Sequence, residues 1–505
     1  MGGAARLASI SRGDRIDRSA HQGTVGARLR AAVRAAAPSS VSGRVLLGLL
    51  VLGVALRLLA VVSLWPTTIL EDGYQTAVKT GPFMDPQHPA GYGLILGALG
   101  VVSHQILVPV FLQHLSGVVS ALLLWAATRR ATGSSWAGLL PAGIVLLDAD
   151  EVFLEHSVMS ESWVVLITSI GLCATVRALD EPSPVRRWPV LAGGALAVSV
   201  TIRTANLPLV AVAVLVLLIG GRRQRKQGHA YWRAPAAAAG AAAVILLGFA
   251  TASARFGPGF GIAPSPGWYL YGRAAQFANC RSFTPPPGTA RLCQNTAPSQ
   301  RPSGYYYMFL PQAPAPRLFG TFGSRDALIG AWARRAVVAQ FGDFLAVAWS
   351  YLRSYYLPGT LPARLRPTTT KLDPQLDFTN GGNIYYTAAG QQALEGFFDP
   401  FKMHRLQWGV HVLRQWQIRI RFGATVLFVT TVLTLVGLVI GSFRERVAVF
   451  LFGVGGLSLL LAPVLTGTYA GRYTVPMAGP LMAAAGITLS AIWARRRWNR
   501  VTAIR

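Results

Sequence analysis

Apolar stretches of about twenty residues recur along this chain, and most are flanked by arginine. Val45–Trp65, Ile106–Thr128, Ala424–Gly441 and Val475–Trp493 are clear cases. Hydrocarbon asks for about 20 apolar residues per helical crossing, because each backbone polar group must be satisfied inside the helix. A chain of 505 residues would otherwise suggest two to four soluble domains. With 52% hydrophobic and 13% charged residues, against roughly 25% charged in soluble domains, it is predicted to be an all-α polytopic membrane protein instead.

Charge then orients the predicted spans. The net charge is +28, from 43 arginines and 4 lysines against 19 acids. Such a balance in a soluble protein would suggest nucleic acid. Here the arginines are dispersed as flanks of apolar runs, as the positive-inside rule requires, so nucleic acid is excluded as a partner. Residues 1–44 read as a disordered basic cytoplasmic arm; no small-residue cleavage site follows the first apolar run, so it is not a cleavable signal. Residues 45–255 form a first transmembrane module. Ala90–Ser103 is too short for a comfortable span, Trp136–Phe153 is predicted as one span, and Pro189–Gly220 as a hairpin broken at Arg203–Asn206. Residues 421–494 hold the last spans, and 495–505 a basic cytoplasmic tail. The expected total is about ten spans (range nine to thirteen), with both termini cytoplasmic.

Between these blocks lies a long segment, 256–420, rich in Pro, Gly and aromatics and expected on the outer side. It is basic, with sixteen Lys or Arg against six acids, which favours anionic lipid or polymer. Ala327–Leu357 is predicted to form amphipathic helices lying on the membrane. Cys280 and Cys293 are the plausible disulfide pair, in a location that permits the bond; Cys173 sits within a span and reads as packing. No internal repeat is visible, which weighs against a secondary transporter.

Negative charge is scarce, so its placement is informative. Eight of the 19 acids fall between positions 71 and 161: Glu71, Asp72, Asp85, Asp148, Asp150, Glu151, Glu155 and Glu161. The predicted topology puts them at or near the outer face. Arginines interrupting apolar sequence are the second anomaly: Arg57 inside the first span, Arg203 at the hairpin break, Arg472 before the last span. A cation at membrane depth costs a few kcal/mol or more unless paired or wetted. Arg57 is expected to pair with a carboxylate, to snorkel, or to orient a donor. Arg203 and Arg472 share one predicted level and could converge on a phosphate, whose oxygens match the guanidinium fork.

These residues carry a resemblance. Leu56-Arg57-Leu58 followed by Glu71-Asp72-Gly73-Tyr74, and the string Gln87-His88-Pro89-Ala90-Gly91-Tyr92-Gly93-Leu94, resemble the start of the polytopic GT-C glycosyltransferases. The nearest branch is that of the protein O-mannosyltransferases and lipid A aminoarabinose transferases. His156–Glu161 resembles that branch's second acidic motif, and Gly471-Arg472-Tyr473-Thr474-Val475-Pro476 its late Arg-Tyr element. The sequence departs at Ala90, where the branch has a second proline, and after Arg203, where Thr204 replaces proline. The resemblance covers roughly residues 50–215 and 450–490, and leaves 256–420 unmatched.

It implies a GT-C fold, with the catalytic first outer loop at 66–89. The implied activity is an inverting transfer of sugar from a polyprenyl-phosphate donor to an envelope glycan, lipid or protein, at the extracytoplasmic face of the plasma (inner) membrane. Asp72 matches the general base, with Glu71 as the alternative. Arg57, Arg203, Arg472 and Tyr473 would bind the donor phosphate. His88, His156, Glu161 and Tyr74 would serve acceptor or sugar binding or structure. No cofactor is fixed: some relatives use a divalent cation, for which His88 would need partners such as Asp85 or Glu161. The rival readings are a transporter or flippase for a lipid-linked glycan, and a non-catalytic envelope-assembly membrane protein. Neither a nucleotide-binding motif nor a recognisable zinc spacing is present.

Overall fold

The computed structural model describes residues 40–68, 78, 81–180, 187–225, 232–365, 376, 378, 392 and 394–502. Glu71, Asp72 and Tyr74 lie outside the described residues. Contacts divide the chain after Leu47; of the smaller unit, residues 40–47 are described, and Val41–Leu47 begin the first helix.

The chain is an all-α polytopic membrane protein. Its first half runs through α1 (Val41–Ser63), α2 (Gly91–Val102), α3 (Leu107–Thr132), α4 (Ser135–Leu147), α5 (Ala149–Glu155), α6 (Glu161–Asp180), α7 (Arg187–Ile202), α8 (Leu207–Arg225) and α9 (Arg233–Phe256). Then come α10 (Pro266–Ala274), α11 (Gly304–Phe309), α12 (Pro314–Phe319), α13 (Asp326–Ala339) and α14 (Phe341–Tyr356). The last part holds α15 (Gln407–Arg419), α16 (Ala424–Ile440), α17 (Phe443–Val449) and α18 (Val475–Thr502), with a π-helical turn and short helices joining α17 to α18. Among the described residues, eight helical stretches are long and apolar enough to cross a membrane, and α2, α4 and α7 are shorter apolar helices. The one sheet among them pairs Leu64–Trp65 with His404–Arg405.

Local chemistry accounts for the helix ends. α3 stops at Gly133, which takes the left-handed conformation, with Arg129 and Arg130 in the last turn beside the negative end of the helix dipole. α17 opens with a capping box between Ser442 and Glu445. The expected span Trp136–Phe153 is in fact two helices. Asp148 is extended, and its carboxylate accepts from the Asp150 N–H, ending α4 and capping α5. The Pro189–Gly220 hairpin is α7 and α8 with Arg203 at the break. α18 runs on to Thr502, so Arg495–Arg497 belong to a helix; arginine is a good helix former and nothing there breaks the turn.

The long middle segment has its own aromatic core, in which Trp268, Tyr271, Tyr307 and Trp332 are buried. Cys280 and Cys293 are disulfide-bonded beside it. α14 is amphipathic: Phe344, Ala348, Tyr351 and Tyr355 are buried, while Phe341, Leu345 and Trp349 form an exposed apolar stripe. Its Tyr356 hydroxyl meets Thr431 of the apolar helix α16 at 3.1 Å, so the C-terminal end of α14 lies beside that helix.

Closing a loop of this length is worth about 3 kcal/mol. Cys280→Ser is therefore expected to lower the detergent melting temperature by several degrees. Reductant added to the native protein should reproduce the shift, and an unchanged melting curve would show the bond adds no stability.

Candidate active site

The turn between α4 and α6, residues 148–160, is buried almost throughout although it is rich in polar groups. Buried polar groups require partners, and here they form a chain running through the bundle. Arg57, 4% exposed, reaches Glu155 Oε1 at 2.5 Å and donates to the carbonyls of Gly53, Val145 and Leu146. Glu155 Oε2 lies 2.9 Å from His114 Nδ1, His114 Nε2 lies 3.2 Å from His156 Nδ1, and His156 Nε2 lies 2.8 Å from the Leu64 carbonyl. A carbonyl only accepts, so His156 Nε2 carries a proton. In the neutral ring, Nδ1 is then the acceptor for His114 Nε2. The remaining contact must then hold one proton shared between His114 Nδ1 and Glu155. Burial pushes the Glu155 carboxyl up to about 7, against the pull of Arg57.

A single backbone feature makes room for this pair. On α3, a Cβ at Gly117 would strike the Glu155 carboxylate and the Arg57 guanidinium. The adjoining Gln113 donates to the carbonyls of Glu155 and Ser157 and accepts from the Tyr92 hydroxyl at 2.7 Å. Thr68 closes the array: its N–H donates to the His156 carbonyl at 2.9 Å, and its hydroxyl meets that of Ser157. The start of the first loop is thus fastened to the turn that leads to Glu161.

Further along the turn, Asp150 pairs with Arg421 at 2.7 Å and accepts from Gln417. Burial raises Asp150. It also raises Asp148, to about 8, with Asp150 adding to the effect, and lifts Glu151 well above the usual carboxylate range, with Glu155 and Asp148 contributing.

The second cluster gathers residues remote in sequence. Glu161 is the first residue of α6, where a negative charge suits the helix dipole. Arg203 sits at the break between α7 and α8, and Arg472 in the 3-10 turn that leads into α18. Arg203 NH1 contacts Glu161 Oε1 at 2.8 Å, and Arg472 Nε approaches the same oxygen at 3.7 Å. The Tyr473 ring lies near both guanidinium groups, whose carbons are 5.1 and 5.6 Å from its centroid. Met159, Ile202 and Val475, neighbours of these residues in the chain, belong to one buried cluster beneath them. Glu161 is 1% exposed, while the Arg203 and Arg472 side chains keep 15% and 16%. Two guanidinium groups meet at one carboxylate oxygen here, and their fork geometry suits an oxyanion.

The His88 string approaches from α2. His88 Nδ1 lies 2.9 Å from Asp85 Oδ2, and Asp85 Oδ1 accepts from the Gln87 N–H. A Cβ at Gly91 would strike the backbone at Thr201 and Ile202, so the start of α2 lies against the end of α7, next to Arg203. Among the described residues, no group of three His, Cys, Asp or Glu could hold a metal ion.

The sequence-derived candidates therefore separate. Arg203, Arg472, Tyr473 and Glu161 converge. Arg57 belongs to the interior chain, with Glu155 as its carboxylate, and His156 points into that chain. Nothing in the sequence motifs groups Glu155, Gln113, His114 and Gly117 as a network. A signal for them exists: Gln113, His114, Ser116 and Ser120 are polar residues inside an apolar run. At the far end of α6, Asp180 binds Arg130 at 2.7 Å and Arg444 at 2.9 Å. Glu161 and Asp180 open and close that 20-residue helix, so the two ionic clusters stand about 30 Å apart along it, a hydrocarbon thickness.

No family model matches the sequence, and no curated protein matches it. Two solved structures align with 90% of the chain, both at a TM-score of 0.37. One is an archaeal oligosaccharyltransferase from Archaeoglobus fulgidus in complex with an inhibitory peptide and a dolichol-phosphate, at 12% identity. The other is the Archaeoglobus fulgidus oligosaccharyltransferase in the apo form, at 13%. The chain spans about half the length of these proteins, 51% in each case.

Removing one partner of a buried ion pair costs about 3–5 kcal/mol, whereas replacing both with apolar groups costs far less. Arg57→Met should sharply lower thermal stability in detergent, and adding Glu155→Leu should restore most of it. A double variant no more stable than the single one would show the two side chains are not coupled.

Proposed function

We propose that this chain is an integral membrane glycosyltransferase that moves a sugar from a polyprenyl-phosphate donor to an acceptor hydroxyl at the extracytoplasmic face. The observation that carries the reading is the meeting of Arg203 and Arg472 at one oxygen of Glu161, with the Tyr473 ring beside both. A departing lipid phosphate needs preorganised cations at the position where its charge develops. Guanidinium groups meet phosphate oxygens in a bidentate way. Glu161 holds the two forks in register.

The orientation follows from charge. Arg129, Arg130, Arg444 and Arg446 flank helix ends on the side of Asp180, and the positive-inside rule makes that side cytoplasmic. Glu161, at the opposite end of α6, then faces outward. A plasma (inner) membrane location, and an envelope glycan, lipid or protein as acceptor, complete the proposal. The exposed stripe of α14 rests in the outer leaflet, in contact with membrane lipid.

Asp72 is assigned as general base on the resemblance, ahead of Glu71. It follows Thr68 by four residues, a reach of at most about 14 Å, and Thr68 is tied to His156 and Ser157. In the reaction, Asp72 accepts the proton of the acceptor hydroxyl as its oxygen attacks the anomeric carbon from the side opposite the phosphate. The bond from that carbon to the phosphate oxygen breaks, inverting the centre. Polyprenyl phosphate leaves with its charge on the Arg203–Arg472 pair.

Membranes incubated with labelled polyprenyl-phosphate sugars provide the test. Asp72→Asn should abolish transfer while preserving expression and melting temperature; full activity would refute the base assignment. Arg472→Ala should raise the donor KM or lower kcat by tenfold or more, about 1.4 kcal/mol for each factor of ten. An effect confined to the acceptor would refute the phosphate role.

A further inference from the structure

The segment between α9 and α15 has no assigned role, yet it holds a deeply buried arginine that binds the chain leading to Arg472. Arg273, on α10, is fully buried. Its guanidinium donates to the carbonyls of Val464 at 2.8 Å, Gly467 at 2.7 Å, Leu465 at 3.3 Å and Pro463 at 3.4 Å. It lies 3.7 Å from the centroid of the Tyr351 ring. The accepting carbonyls belong to the last turn of the helix Leu461–Thr466 and to the residue after it, where carbonyls lack intrahelical partners. Gly467 begins the turn that carries Arg472.

A second tether holds the same turn. The Tyr355 hydroxyl of α14 donates to the Ala470 carbonyl at 3.3 Å, the Ala470 N–H lies 3.4 Å from that hydroxyl, and the Tyr355 and Tyr469 rings pack at 4.8 Å. α10 is itself held on its other sides. The Trp268 N–H donates to Asp326 at 2.9 Å, and Arg301 donates to the carbonyls of Ala275 and Ala278 just past its C-terminus. One turn before Arg273, and so on the same face of the helix, the Tyr269 hydroxyl donates to the Gln87 carbonyl at 2.8 Å, adjacent to His88. One short, well-packed helix therefore touches both the His88 loop and the approach to Arg472.

We infer that Arg273 and Tyr355 are positioning residues for the donor-phosphate site: the middle segment acts as a rigid brace that holds the Gly467–Tyr473 turn so that Arg472 faces Arg203. The inference rests on the reading of Arg203 and Arg472 as the phosphate pair. It gives the segment a catalytic purpose without requiring it to touch substrate. Lysine at 273 would keep the charge but lacks the planar fork that serves several carbonyls at once.

The test uses full-length protein in nanodiscs, with donor and acceptor KM and kcat measured separately. Arg273→Lys should raise the donor KM at least fivefold with the acceptor KM unchanged. Combined with Arg472→Ala, it should add nothing beyond Arg472→Ala alone, a non-additivity that a general loss of stability would not produce. Tyr355→Phe, which removes one hydroxyl, is read in the same way and decides the matter if Arg273→Lys fails to fold. If Arg472→Ala raises the donor KM while the positioning variants leave it unchanged, or if the double variant is additive, the brace is refuted and the phosphate site stands. If Arg472→Ala itself leaves donor kinetics unchanged, the phosphate reading falls and the brace falls with it.

Discussion

Charge cannot be left unpaired in a helical bundle surrounded by hydrocarbon, and the contact between Arg57 and Glu155 satisfies that constraint at the centre of this protein. The pair determines more than its own energy. It draws the turn after α5 against α1, requires glycine at position 117 of α3, and continues through His114 and His156 to the Leu64 carbonyl. Leu64 lies in the short strand that ends the first helix, and Thr68, four residues on, is bonded to the same turn. The start of the first loop and the start of α6 are thus fixed to one buried polar chain, which carries Glu161 to the end of the bundle.

The Glu161 cluster differs in kind. Arg57 has one carboxylate and three carbonyls around it and little exposure, so its charge is spent internally. Arg203 and Arg472 divide a single carboxylate oxygen and keep part of their surface accessible. The same residue type is therefore sealed in the interior in one place and partly accessible in the other. In the aromatic middle segment, Arg273 and Tyr355 bind the chain before Arg472 through its backbone carbonyls.

Much of the architecture was legible from periodicity and charge. The runs near 45–65, 106–128 and 424–441 appear as helices close to their expected limits, and the hairpin break fell at Arg203. The expected span Trp136–Phe153 failed because hydropathy averages over Asp148, whereas a single cap of its side chain onto the Asp150 N–H ends a helix. The shared level of Arg203 and Arg472 was also visible, since both interrupt apolar sequence just before a helix resumes. The partner of Arg57 was not, because eight acids compete for that role and only packing selects among them.

By itself, the sequence determined that the chain is a polytopic helical membrane protein, where most of its helices begin and end, and which few charges stand out against their surroundings. Those properties are set locally, by runs of apolar residues, caps and flanking arginines. Tertiary structure alone decided which charge meets which: Glu155 with Arg57, Glu161 with Arg203 and Arg472, and Arg273 with the carbonyls before the final turn. Such pairings depend on distances of 3–4 Å between residues far apart in the chain, and helical periodicity carries no information about them.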